Sequence, residues 1–269
     1  MLIFFRNFIK LANRLIKAQL LGFLFLRAAS FKLPKKIKKK DEFINLYLPN
    51  EHGVKISFVE ILLDDVYKLH LIKKISVKKN FLIKSILDIG ANCGIFCVAA
   101  RLKFPFSVIH AYEPNLFIEK YLKYQSSLFN FNYYTKAVGK NDGSTTLNVD
   151  PMESVLSSSS HDFVEYKVNK IVKKVVPKLS IKKVFQKTPN KILDIVKMDC
   201  EGAEWEILTE LNIWKNVRFL TMEYHLDKSN NYNNIAKAIN KIGFTLITNL
   251  RKSKELNYGT LLAYNPKIV

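Results

Sequence analysis

From Phe81 onward the chain alternates short apolar runs with longer stretches in which apolar residues return every three or four positions. A continuous apolar run of strand length fits a strand buried on both faces, and the 3.6-residue return fits a helix that covers it. The pattern predicts strands over Ser85 to Ile89, Val108 to Tyr112, Tyr133 to Val138, Ile192 to Met198 and Val217 to Glu223. It predicts helices near Gly94 to Lys103, Leu116 to Phe129, Glu204 to Leu211 and Asn231 to Ile242. Gly243 follows the last of these, where a residue of positive φ commonly ends a helix. Phe244 to Leu250 and Tyr258 to Tyr264 then read as a closing strand pair. Strands alternating with helices imply an α/β fold with a doubly wound, mostly parallel sheet and an antiparallel closing strand.

The pattern changes on either side of this core. Residues 41–80 read as a strand-rich cap, with Phe43 to Leu63 extended and Asn50-Glu51-His52-Gly53 as the turn between two strands. An insertion at about 143–190 holds the polar run Glu153 to Asp162 and the lysine-rich, β-branched stretch Val164 to Val176. Insertions of this length in a compact domain are commonly functional loops. Residues 2–29 place Arg6, Lys10, Asn13, Arg14 and Lys17 at helical spacing among Leu, Ile and Phe, the pattern of an amphipathic helix. Its longest uncharged stretch, Ala18 to Leu26, is far short of the roughly 20 residues that span a bilayer. Cations interrupt the apolar run, and Arg27 precedes Ala28-Ala29, so a cleavable secretory signal is not expected. The chain thus divides into a basic amphipathic helix and tail (1–40), the cap (41–80) and the α/β domain (81–269).

With 269 residues, 48% of them hydrophobic, the chain can bury a sizeable core without staples. Its net charge of +20 invites a polyanionic partner, but the charge is unevenly placed. Residues 1–40 carry eleven Lys and Arg and no acid, and residues 166–190 carry eight lysines and no acid. The cluster Lys35-Lys36-Ile37-Lys38-Lys39-Lys40 after the helix fits an anionic lipid surface. It equally fits a solvated run after a helix packed on the body or on a partner subunit. Three cysteines, Cys93, Cys97 and Cys200, form no disulfide framework and suggest a reducing, cytoplasmic setting with buried, inert thiols. A peripheral position at the inner face of a membrane is compatible with both.

The chemistry concentrates at strand ends. Ile86-Leu87-Asp88-Ile89-Gly90-Ala91-Asn92-Cys93-Gly94 is an apolar strand that runs into a glycine-punctuated turn and a helix start, a ligand-admitting backbone. Its spacing, with Asn92 where a dinucleotide fingerprint has its second glycine, departs from a pyrophosphate cradle. Glu113, in Tyr112-Glu113-Pro114-Asn115 at the tip of the next strand, can accept both hydroxyls of a ribose. Together they favour a nucleoside without phosphates, of which S-adenosyl-L-methionine is the commonest cofactor. Asp199, Glu201 and Glu204 cluster after the fourth strand, where they can orient a hydroxyl and take its proton. Glu204 also suits a helix N-terminus. Glu223 and His225 end the fifth strand on one face, His225 as a candidate base or both as hydrogen-bonding partners of the loop after Asp199.

In order and spacing, Asp88-Ile89-Gly90-Ala91-Asn92-Cys93-Gly94, Glu113-Pro114-Asn115, Ala137-Val138-Gly139 and Lys197-Met198-Asp199-Cys200-Glu201-Gly202-Ala203-Glu204 resemble FkbM-type methyltransferases. The resemblance spans roughly residues 81–225. It implies a class I methyltransferase (Rossmann-like) fold, S-adenosyl-L-methionine as donor and an O-methyl product on a sugar or natural-product hydroxyl. It implies that Asp88, Gly90, Asn92 and Gly94 surround the methionine part and that Glu113 holds the ribose. Asn115 would fix the turn and Ala137 to Gly139 would flank adenine. Asp199, Glu201 and His225 are the catalytic candidates, and no metal is assigned, since nothing has dedicated metal-loop spacing.

A nucleic-acid substrate is disfavoured. The chain has no Pro-Pro pair, and Asp199-Cys200-Glu201-Gly202 stands where base-amine methyltransferases place their Pro-Pro motif; an acidic edge also repels phosphates. The expected acceptor is therefore a small molecule or glycan, including a lipid-linked sugar. The competing classes are an RNA methyltransferase, marked by salt-sensitive RNA binding, and a non-catalytic lipid-surface protein, marked by membrane binding without cofactor.

Overall fold

The computed structural model describes residues 2–25, 31–150, 153–158, 171–188, 191–226, 231–251 and 257–269. Helix α1 (Leu2–Leu20) precedes a hairpin of β1 (Lys36–Lys39) and β2 (Glu42–Asn45). Then come α2 (His52–Phe58), which runs on as a π-helical stretch Val59–Leu63, and α3 (Leu69–Lys78). The core begins at β3 (Ser85–Ile89) and continues through α4 (Ile95–Lys103), β4 (Val108–Tyr112), α5 (Glu119–Phe129) and β5 (Asn132–Tyr134). A second layer of strands follows, β6 (Ala137–Gly139), β7 (Gly143–Asp150), β8 (Glu153–Ser158) and β9 (Val172–Ser180). The chain then returns through α6 (Ile181–Lys187), β10 (Leu193–Met198), α7 (Glu204–Leu208), β11 (Val217–His225), α8 (Tyr232–Lys241), β12 (Thr245–Arg251) and β13 (Tyr258–Tyr264).

The main sheet has the order β12-β13-β11-β10-β3-β4-β5. Strands β11, β10, β3, β4 and β5 are parallel, and β13 inserts antiparallel between β11 and β12. This is the Rossmann-like class I arrangement. Every residue of β3 and of β10 is buried, which explains their near-continuous apolar sequence. Alternate residues feed two cores. Ile86, Ile109, Ile195 and Phe219 pack with the helices α2 to α5, and Leu87, Val196, Leu220 and Met222 pack with α8 and the α6–α7 region. The order of the strands reverses at the parallel pair β3 and β10, since β4 and β5 are added on one side and β10 and β11 on the other, so their C-terminal ends open the crevice in which such sheets bind ligands.

Three expectations need correction. Phe43 to Leu63 is not a pair of strands about a turn at 50–53. Only Glu42–Asn45 is a strand, and His52 begins a helix whose buried Val54, Phe58, Val59 and Leu63 follow helical rather than alternating spacing. The cap is therefore mostly helical. Tyr133 to Val138 is not one strand, because β5 ends at Tyr134 and β6 leaves the main sheet to pair with β9. The insertion is not simply a loop, since β6, β9, β7 and β8 form a four-stranded sheet around Leu147, Val149 and Val176. Residues 159–170, which hold the end of the predicted polar run and the start of the lysine-rich stretch, lie outside the described residues, as do Arg27, Ala28 and Ala29.

Candidate functional site

A cavity of about 330 Å³ opens at the C-terminal ends of β3, β4 and β10, roofed by Thr145, Leu147 and Lys178 of the second sheet. The loop after β3 forms one wall. Gly90 has φ +75°, and a Cβ there would lie 1.6 Å from the Asp199 carbonyl oxygen, so only glycine lets the two loops touch. Its N–H, and that of Ala91, donate to the Tyr112 carbonyl (2.9 and 3.0 Å), which ties the loop to β4.

Glu113 is the best-defined acid of the cavity. Its Oε2 accepts the Asn92 N–H and its Oε1 the Asn115 N–H, both at 2.8 Å. These bonds fix both oxygens and leave each a lone pair for a ligand hydroxyl. Burial nevertheless pushes the Glu113 carboxyl up to about 7, against the two N–H donors.

Of the six residues expected at the cofactor, Gly90, Asn92 and Glu113 line the cavity. Gly94, Asp88 and Asn115 support it from behind. A Cβ on Gly94 would meet Leu122 and Phe131 in the core, and Asn115 Oδ1 accepts the Phe117 N–H (3.0 Å), holding the turn. Asp88 is fully buried within β3, paired with Lys197 Nζ at 3.0 Å and accepting from Cys97 Sγ at 3.1 Å. The sheet register sets this pair, because Lys197 of β10 is the direct partner of Asp88. Ala137 and Val138 line the cavity with Tyr112.

The second group gathers after β10 and at the end of β11. Asp199 and Glu201 line the cavity. Asp199 Oδ2 accepts the Tyr67 hydroxyl (2.8 Å) and lies 3.7 Å from Lys197 Nζ. The His225 ring is surrounded by carboxylates, with Nε2 3.3 Å from Glu201 and 3.6 Å from Glu223, and Nδ1 3.5 Å from Glu204. Burial opposes a charge on His225, but these acids outweigh it and hold the imidazole well above its ordinary range. These acids therefore favour a charged ring at His225. Burial raises Glu201 to about 8, even against His225. Glu204 is the first residue of α7, and its carboxylate accepts the N–H groups of Cys200 (2.8 Å) and Gly202 (2.9 Å). Despite burial it is held low, first by its bond to His225. Among the described residues, Asp199, Glu201 and His225 each offer an atom within 4.8 Å of the others, a donor set of the kind that holds a divalent cation.

Sequence reasoning passed over two residues. Lys197 donates to the Gly90 carbonyl (2.6 Å) as well as pairing with Asp88, and Asp88 and Asp199 hold its ammonium above the ordinary lysine range although burial opposes the charge. A lysine inside the apolar run Leu193-Asp194-Ile195-Val196-Lys197-Met198 was the available signal, since a buried cation needs a buried acid. Tyr67 carried none, because it reaches Asp199 from the cap, 132 residues away. The three thiols are held up chiefly by burial and are poor nucleophiles.

The family described as Methyltransferase FkbM domain matches residues 88–246. No curated protein matches the chain. Among solved structures, it is similar to a precorrin-6y C5,15-methyltransferase of Geobacter metallireducens, with 13% identity over 71% of this chain and 86% of that one and a TM-score of 0.39. It is similar to a ribosomal protein L11 methylase of Lactobacillus delbrueckii, with 8% identity over 74% of this chain and 78% of that one and a TM-score of 0.39. It is also similar to Sp1610 of Streptococcus pneumoniae, solved in complex with S-adenosyl-L-methionine, with 10% identity over 74% of this chain and 72% of that one and a TM-score of 0.39.

Proposed function

The chain belongs to the FkbM methyltransferase family, and we propose that it moves a methyl group from S-adenosyl-L-methionine to a hydroxyl of a glycan, a lipid-linked sugar or a small natural product. The supporting observation is that one cavity is lined both by Glu113 and by the carboxylates Asp199 and Glu201. The residues fit the donor. Glu113 has two oxygens oriented by backbone N–H groups, as a ribose diol requires, and Gly90 keeps the wall free of a side chain. Ala137, Val138 and Tyr112 offer apolar surface to a base.

When bound, S-adenosyl-L-methionine supplies a sulfonium-linked methyl group open to attack by a nucleophile. Asp199, fixed by Tyr67, orients the acceptor hydroxyl. Glu201, more basic than an ordinary carboxylate through burial, takes the proton as the O–H bond breaks, and His225 beside it shares the change in charge. Thr145 and Lys178 at the rim offer hydrogen bonds to a polyhydroxylated acceptor.

The test incubates the full chain with methyl-labelled S-adenosyl-L-methionine and panels of glycans, lipid-linked sugars and hydroxylated natural products. An alkali-stable O-methyl ether is expected. Label on nitrogen, or label released by mild alkali as from an ester, overturns the assignment. So does a calorimetric titration in which S-adenosyl-L-methionine binds no better than it does to Glu113→Ala.

A further inference from the structure

Helix α1 packs on the body by its charged side. Arg14 forms a two-point pair with Asp64 (2.7 and 2.6 Å), Lys10 reaches the same carboxylate (3.2 Å), and Lys17 donates to the Leu63 carbonyl (2.7 Å). Lys10, Arg14, Lys17 and the buried Ala18 share one helical face, turned toward the π-helical stretch. Phe5, Phe8, Ile9, Leu15, Ile16 and Leu20 occupy the opposite arc and are 41–71% exposed. An amphipathic surface helix ordinarily buries its apolar face against its own core; here that face points outward, with Gln19 the one polar residue within it, which marks an interaction surface.

The charge beside the patch selects its occupant. The β1–β2 hairpin is fastened to the end of α1 by the bond from Lys38 N–H to the Leu21 carbonyl (2.8 Å), and a Cβ on Gly22 would meet the Phe43 ring. Lys35, Lys36, Lys38 and Lys40 are exposed on and beside this hairpin and outnumber the two exposed acids at its turn, Asp41 and Glu42. A two-fold pairing of this face with a second copy would bring like charges together, whereas anionic headgroups complement them and acyl chains complement the arc. Among the described residues no helix is long and apolar enough to cross a membrane.

We infer that α1 lies in the plane of an anionic bilayer surface, its apolar arc in the acyl boundary and the hairpin lysines on the headgroups. Asp64, which anchors the helix, stands three residues before Tyr67, so docking holds the Asp199 edge of the cavity in a fixed relation to the membrane. The inference does not rest on the methyl-transfer assignment, and cofactor binding is measured separately.

Full-length protein is sedimented with phosphatidylcholine vesicles and with vesicles that also contain phosphatidylglycerol. Binding at least tenfold tighter to the anionic vesicles is expected, falling as salt rises. Phe8→Glu with Ile16→Glu weakens it at least tenfold with an unchanged circular dichroism spectrum, and Lys36→Glu with Lys38→Glu lowers the anionic preference by about fivefold or more per lysine. Phe8→Trp, which retains the apolar surface, gives a blue-shifted emission on anionic vesicles that brominated lipid quenches. The inference is overturned if the wild-type chain stays in the supernatant, if the Phe8→Trp emission is unmoved, or if vesicle binding survives the glutamates. A wild-type dimer that the glutamates convert to monomer also overturns it, assigning the arc to a second copy.

Discussion

Two ion pairs built from the same kinds of groups stand at the edge of one sheet and do different things. Asp88 and Lys197 face each other across β3 and β10 with side chains 0% and 3% exposed. Glu201, after β10, and His225, the last residue of β11, meet at 31% and 25% exposure, and Glu201 lines the cavity. The first pair has every charge answered inside the protein, by each other and by the Gly90 carbonyl. The second is crowded with acids and can exchange a proton with a ligand. Burial separates a pair that holds loops in place from a pair at the cavity wall that the proposed mechanism uses.

The contrast is sharpened most by Glu201→Gln, which is expected to lower kcat by about a hundredfold to ten-thousandfold, the range for loss of a general base, while thermal unfolding stays nearly unmoved. A comparable loss of stability would erase the distinction. Lys197→Met should behave in the opposite way, destabilising the fold by about 3–5 kcal/mol because Asp88 is left buried without its cation. Urea unfolding measures this, and adding Asp88→Leu should recover much of the loss. Glu113→Gln replaces a charged acceptor with a neutral one, so S-adenosyl-L-methionine affinity measured by calorimetry should weaken by about tenfold to a hundredfold.

The smallest effect is in pH. With the Glu113 carboxyl pushed up to about 7, proton loss on raising pH frees the acceptor, so cofactor affinity should rise by about tenfold from pH 6 to above 8 and then level. The Glu113→Gln chain should lack that rise. Turnover should climb further through pH 8, following the Glu201 carboxyl at about 8. A profile flat between pH 6 and 9 would place neither acid at a titrating step.

The legible part of the molecule is the part governed by short sequence range. Strands β3, β4, β10 and β11 were visible because burial on both faces demands an apolar run, and the loop at Gly90 because it demands a small residue where backbones touch. Glu113 was visible as the acid at the tip of the next strand. What escaped depends on which surfaces meet. Asn50-Glu51-His52-Gly53 is acceptable chemistry for either a turn or a helix start, and only the packing of Val54, Phe58 and Leu63 decides between them. Lys136 and its neighbours give no sign that β6 must leave the main sheet. The amphipathy of α1 was plain, but which of its faces meets the body is decided by Asp64, fifty residues beyond Arg14.

The contact of the bare Gly90 Cα with the Asp199 carbonyl sets out which parts can be exchanged. It makes the loop after β3 and the loop after β10 one casting, so neither can be redesigned without recutting the other. The sheet of β6 to β9 adds Ala137 and Val138 on the side proposed for the base, and a rim that includes Thr145, Leu147 and Lys178. On the proposed reading, retargeting this scaffold to a new acceptor is a problem of grafting the Thr145, Leu147 and Lys178 rim, with Gly90 and Asp199 left as they are.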